Sequence, residues 1–331
     1  MINSQNLKNS KGLQWLIGFI EAESAFYVSK RKSYGVEGFY VTFSIYQPLK
    51  KAQILYYIKR LFGCGHVRIT KVDETESSLR TRWNDSRSIL LKPELLGSSI
   101  STYYITNKKH LSCILSLLER SFCSTDEDLK GGFRTFKSYD FERAFGALTI
   151  LENKGHLHLT EDMAEALKKW KDKSVFRSTN VVRDLWCSSN SWLKFSNDSS
   201  FEDWFTGFTD GGGTFIINFK FRAKYEMRWD RFGFNSQIKL SSRSMNAGLK
   251  SGKEIILSFV IAQKTKNLFV LEQLKERFGG HLNLRFNIKG STNIWEISSK
   301  KTLVQIVSLF KKHSLRTKKK VELLKWCKAL G

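Results

Sequence analysis

Stretches in which apolar and polar residues alternate recur along the chain, separated by stretches in which apolar residues return every three or four positions. "FYVTFSIYQ" (39–47) sets Phe39, Val41, Phe43 and Ile45 against Tyr40, Thr42, Ser44 and Tyr46. Period two predicts a strand with one buried and one polar face. "FKFRAKYEMRWD" (219–230) alternates more strictly, with Lys220, Arg222, Lys224 and Arg228 among the outward residues. "LNLRFNIK" (282–289) repeats the pattern, with Asn283, Arg285, Asn287 and Lys289 outward. Amphipathic helices follow. "KKAQILYYIKRLFGCGHV" (50–67) and "KNLFVLEQLKERFGGHL" (266–282) are near-duplicates, each closed by glycine and followed by a histidine and a strand. "TNKKHLSCILSLLERS" (106–121) is echoed by "SSKKTLVQIVSLFKKH" (298–313).

This self-similarity divides the chain into a first repeat, 1–172, a Ser/Asn-rich linker, 173–200, and a second repeat, 201–331. Each repeat reads helix, two strands, helix, two strands, helix. Helices around 138–172 finish the first repeat. The second stops at "KKVELLKWCKALG" with no counterpart expected for that tail. An insertion at about 70–100 has no assigned structure, and the second hairpin is much the longer of the two.

The repeats also share a motif. "LIGFIEAESAF" (16–26) and "FTGFTDGGGTF" (205–215) align without a gap, preceded by Trp15 and Trp204. Gly18 and Gly207 allow two helices to approach closely, because no side chain holds the backbones apart. Side by side about a pseudo-twofold, such helices bring the eighth position of each motif to the same end. That position is Glu23 in the first repeat and Gly212 in the second. Paired carboxylates there would share divalent metals across a phosphodiester. Glu21 and Asp210, two residues earlier, lie about 200° around the helix axis and point elsewhere. Gly211–Gly213 follows a helix, so it does not form a phosphate cradle at a helix start.

Charge narrows the partner. There are 55 Lys and Arg against 31 Asp and Glu, a net charge of +24 spread along the whole chain. A folded protein this basic is expected to meet a polyanion, nucleic acid foremost. Five cysteines without a C-x-x-C pair read as reduced thiols rather than zinc ligands. His156 and His158 read as loop or core residues. No apolar run is long enough to span a bilayer, and the polar start has no signal-peptide pattern.

The paired motifs, the strands ending in Gln47 and Gln263, and the segments "KERFGGHL" and "LRTKKKVELL" resemble the LAGLIDADG homing endonucleases and intron maturases. The resemblance covers nearly the whole chain in its single-chain, two-repeat form. It implies an α+β fold of two αββαββα repeats, with two antiparallel four-stranded sheets forming a saddle around a central pair of motif helices. It implies Glu23 as metal-binding acid, Lys137 and Lys319 near the scissile phosphates, and Gln47 and Gln263 near the metals or water. Ser24 stands where the family has glycine. Strand faces would lie in the major groove, with Lys30, Lys32, Tyr40, Thr42, Ser44, Lys220, Arg222, Lys224, Arg228, Asn283, Arg285 and Asn287 facing nucleic acid. The expected function is a site-specific duplex-DNA endonuclease, Mg²⁺- or Mn²⁺-dependent, impaired or reduced to nicking by Gly212. The alternatives are a cleavage-inactive maturase of group I intron RNA and a structural RNA-binding protein of an organellar ribosome. A monomer, no membrane, and the mitochondrial matrix (alternatively the chloroplast) complete the expectation.

Overall fold

The computed structural model describes residues 10–33, 36–70, 99–123, 133–154, 199–221, 253–287 and 290–330. Helix α1 (Ser10–Glu23) runs straight into β1 (Ser24–Ser33), which pairs antiparallel with β2 (Val36–Pro48). Helix α2 (Gln53–Phe62) follows, and Gly63 ends it in the left-handed region at φ 66°, its N–H donating to the Lys59 carbonyl at 2.9 Å. Strands β3 (His66–Thr70) and β4 (Ile100–Ile105) complete a sheet of order β1-β2-β4-β3. Helices α3 (Lys108–Cys123) and α4 (Lys137–Lys154) close the repeat.

The second repeat has the same plan. Helix α5 (Ser199–Gly212) leads into β5 (Gly213–Phe221), then β6 (Lys253–Lys264), α6 (Leu268–Phe278), β7 (His281–Asn287) and β8 (Gly290–Ile297). Its sheet order is β5-β6-β8-β7, the same permutation as the first. Helices α7 (Lys300–Lys312) and α8 (Lys319–Leu330) end the chain. Helix α8 is the counterpart of α4, so the first repeat's tail does have a partner as far as Lys154. The expectation of none took the longer stretch to 172 as one unit. Ser199 and Ser200, assigned to the linker, already belong to α5. The 70–100 insertion, His156, His158 and the strand residues beyond Phe221 lie outside the described residues, apart from the insertion's outermost positions.

Alternation sets what each sheet buries. In β2, Val41, Phe43 and Ile45 are buried, and in β6, Leu257, Phe259 and Ile261 are. Phe205 of α5 stacks on Phe310 of α7 at 5.7 Å and meets Phe259 edge-on at 6.2 Å. Phe26, Phe43, Phe133 and Phe141 make the matching cluster in the first repeat. The helices thus cover one face of each sheet, and the other face is left open. Among the described residues no helix is long and apolar enough to cross a membrane.

Candidate nucleic-acid interface and cleavage site

The two motif helices pack directly on each other. A Cβ on Gly18 would run into the Trp204 carbonyl oxygen, and it would sit 2.8 Å from the Phe208 nitrogen. A Cβ on Gly207 would meet the Trp15 carbonyl oxygen in the same way. Glycine is therefore demanded twice, once from each side of a pseudo-twofold axis.

Four side chains cross that axis. The Trp15 indole N–H donates to Asp210 Oδ2 at 2.8 Å, and the Trp204 indole N–H donates to Glu21 Oε2. Each acid also receives the turn that opens its own repeat's last helix. Thr135 N–H donates to Glu21 Oε1 at 2.5 Å. Arg316 N–H, Thr317 N–H and Thr317 Oγ1 donate to Asp210 at 2.7, 3.1 and 2.5 Å. The matched turns read Arg134-Thr135-Phe136-Lys137 and Arg316-Thr317-Lys318-Lys319. In each, the lysine N–H donates to the threonine Oγ1 at 3.2 Å. Glu21 and Asp210 are therefore structural acids, both nearly fully buried. Burial raises Glu21 to about 7 against the hydrogen bonds from Trp204 and Thr135 and the charge of Arg134. Burial likewise raises Asp210, opposed by its donors from Arg316, Thr317 and Trp15.

Glu23 is the last residue of α1 and is partly exposed. A Cβ on Gly211 would run first into Ala22 Cβ and would also stand 3.0 Å from Glu23 Cγ. Lys137 faces this side of the dyad. Burial pushes its ammonium down to about 8; Lys266 adds to the effect, and Asp140, Glu23 and Glu21 oppose it. On the other side Gly212 brings no carboxylate. A Cβ on Gly212 would find only ordinary contacts, Gln263 Nε2 at 3.8 Å and Ala22 Cβ at 4.0 Å. Lys319, matched to Lys137, is 5% exposed and donates its ammonium to the Gly213 carbonyl. Gln47 is 4% exposed, and its buried Nε2 has no hydrogen-bond partner among the described residues. Gln263 Oε1 instead accepts from Asn267 Nδ2 at 2.9 Å.

No group of three or more His, Cys, Asp or Glu side chains is gathered for a metal among the described residues. One carboxylate beside a lysine still fits Mg²⁺, which keeps several waters and takes one or two carboxylates plus phosphate oxygens.

The open sheet faces carry rows of side chains set by strand register. Ala25, Ser44, Tyr104 and His66 form one row, matched by Thr214, Val260, Glu296 and His281. The His66 and Tyr104 rings lie 5.7 Å apart. Tyr40 is 42% exposed, and Asn283 is exposed. Thr42 is half-buried beside the Tyr27–Tyr46 hydroxyl pair. Ser44 is only 3% exposed, so its hydroxyl is withdrawn from the open face that alternation assigned it to. Lys30, Lys32, Lys220, Arg285 and Asn287 lie on described strands, but their side chains do not belong to the described residues; Arg222, Lys224 and Arg228 lie outside them altogether. His66, Arg68 and Tyr104 share the open face and escaped the sequence reading, although the alternation of "HVRIT" carried the signal for the first two.

Two similar repeats, a glycine-to-backbone helix pair on a pseudo-twofold, and two open four-stranded sheets define a single-chain pseudodimer. The LAGLIDADG endonuclease profile matches residues 16–115 and 205–330, and the chain belongs to that family. It is 24% identical over 292 residues to the probable intron-encoded endonuclease Cox1-I1b of Schizosaccharomyces pombe. That alignment takes in 83% of this chain and 62% of the relative's length. Among solved structures, the meganuclease I-SmaMI bound to uncleaveable DNA superposes with a TM-score of 0.60 at 19% identity, covering 96% of this chain and 89% of that one. The LAGLIDADG meganuclease I-AabMI bound to uncleaved DNA gives 0.59 at 17% identity, with 96% and 89% covered. These likenesses show the fold: α+β, two pseudo-twofold-related repeats with a sheet each.

Proposed function

We propose that the chain is a homing endonuclease that binds one duplex-DNA site through its open sheet faces and cuts through Glu23 alone, so that it nicks, or cleaves both strands slowly. The observation carrying this reading is the one-sided dyad, with Glu23 and Lys137 on one side and Gly212 with an internally bonded Lys319 on the other. A divalent cation, Mg²⁺ or Mn²⁺, would be held by Glu23 and would supply Lewis-acid stabilisation to a bound phosphate. Lys137 contributes positive charge to the same phosphate at neutral pH. On the Gly212 side the described residues bring no carboxylate, and the Gln263 amide stands near the place one would take. A monomer in the mitochondrial matrix belongs to the same reading and rests on the family likeness.

The engagement of Lys319 with a backbone carbonyl favours one competing reading, a group I intron RNA maturase that needs charge and shape but no metal. The experiment places a binding-selected target on supercoiled plasmid with Mg²⁺ and compares the natural chain, Glu23→Gln and Gly212→Glu. Nicking by the natural chain that Glu23→Gln abolishes and Gly212→Glu converts to linearisation is the expected result. An inert natural chain with a linearising Gly212→Glu would overturn it and direct the search to intron RNA.

A further inference from the structure

The two sides of the dyad differ in a second way. Asn267 ends the single turn Thr265–Asn267 between β6 and α6, and it is 7% exposed. Its Nδ2 donates to Gln263 Oε1 at 2.9 Å, and its Oδ1 accepts the Phe136 N–H at 3.0 Å. Phe136 belongs to the other repeat and immediately precedes Lys137. The neighbouring Lys266 ammonium stands 4.6 Å from the Phe136 ring centroid, a second tie at the same place.

The mirror-related contact is absent from the sequence. The near-duplicate segments match Asn267 with Lys51 and Phe136 with Lys318. Lysine has no acceptor for a backbone N–H and no aromatic ring for a cation. Among the described residues the strap thus exists only toward the turn bearing Lys137, on the side that kept its carboxylate.

We propose that Asn267 is a positioning residue that hooks the second repeat onto the Phe136–Lys137 turn of the first, so that both repeats build the Glu23 side. The bond fixes the backbone from which Lys137 springs. Its partner Gln263 is fixed in turn, with Nε2 toward Gly212. The proposal rests on the cleavage reading for its consequence, but not for its geometry.

The test uses the full chain carrying Asn267→Ala. Should that variant fail to fold, Asn267→Lys, which places there the residue the first repeat carries at the matching position, takes its place. Amide exchange followed by NMR is expected to rise at least tenfold at Phe136 and Lys137, and less than twofold at Thr317 and Lys319. No change, or equal loosening of both turns, overturns the strap. With Mg²⁺ and saturating target, the single-turnover nicking rate is expected to fall at least tenfold while Kd stays within threefold. Loosening without a slower rate, or a parallel loss of binding, overturns the positioning role. If the natural chain never nicks, the cleavage reading fails and exchange alone decides whether Asn267 holds the turn.

Discussion

Asp210 shows what a buried acid costs and what it holds. Its two oxygens take four donors, from Trp15, Arg316 and twice from Thr317. An asparagine there would present an NH₂ to donors already aimed at oxygen. Asp210→Asn is therefore expected to destabilise by about 1–3 kcal/mol, although it removes a buried charge. Because burial raises the folded-state pKa, the native chain binds more protons than the unfolded chain just above the ordinary carboxylate range. This contribution to stability is present at low pH and falls as pH rises through the raised value. Denaturant titrations at several pH values should show that slope reduced in Asp210→Asn. An equal slope in both proteins would mean that Asp210 is not its source. In the proposed reading Glu23, at the other end of the same logic, serves cleavage and not folding. Glu23→Gln should leave the melting temperature within about 2 °C of the natural chain.

Along the motif helices, glycine has opposite meanings at different positions. At Gly207 a Cβ meets backbone that cannot give way. Gly207→Leu is expected to cost more than about 3 kcal/mol by forcing the helices apart. At Gly12, on the same kind of helix, nothing lies within 4 Å of a Cβ. Gly12→Ala is expected to stabilise by about 0.5–1 kcal/mol through backbone entropy and helix propensity. Thermal melts of the pair check both signs, and equal effects would contradict the close approach. Period and repetition made these helices and the strand order legible in the sequence, because apolar spacing is itself the cause of burial. The cross-repeat bonds were not legible. Trp15 with Asp210 and Asn267 with Phe136 join residues far apart in sequence, and no local pattern encodes such pairings. The burial of Ser44 was hidden for a related reason. Alternation names the face of a strand, but only packing across neighbouring strands decides whether a small hydroxyl there stays exposed.

With two open faces and a net charge of +24, the proposed DNA binding would neutralise many phosphates together. Affinity should fall linearly in log–log form with salt, by about 0.9 per phosphate contacted on duplex DNA. Single substitutions of Arg68 or Asn283 should change it far less than raising salt from 50 to about 200 mM. The frame that carries the faces has its own requirement. Trp15, Phe19, Trp204 and Phe208 are essentially unexposed where the repeats meet. Each buried acid takes one of its donors from the opposite repeat. A repeat on its own would expose the apolar helix face and strand its acid without the indole. Residues 199–331 expressed alone should therefore lack a cooperative melt as a monomer, and 1–172 likewise. The two pieces refolded together should recover one shared transition, because the dyad contacts are non-covalent. A monomeric second repeat that melts cooperatively by itself would show that each half is stable without its mate, and the paired glycines would then serve only to align the sheets.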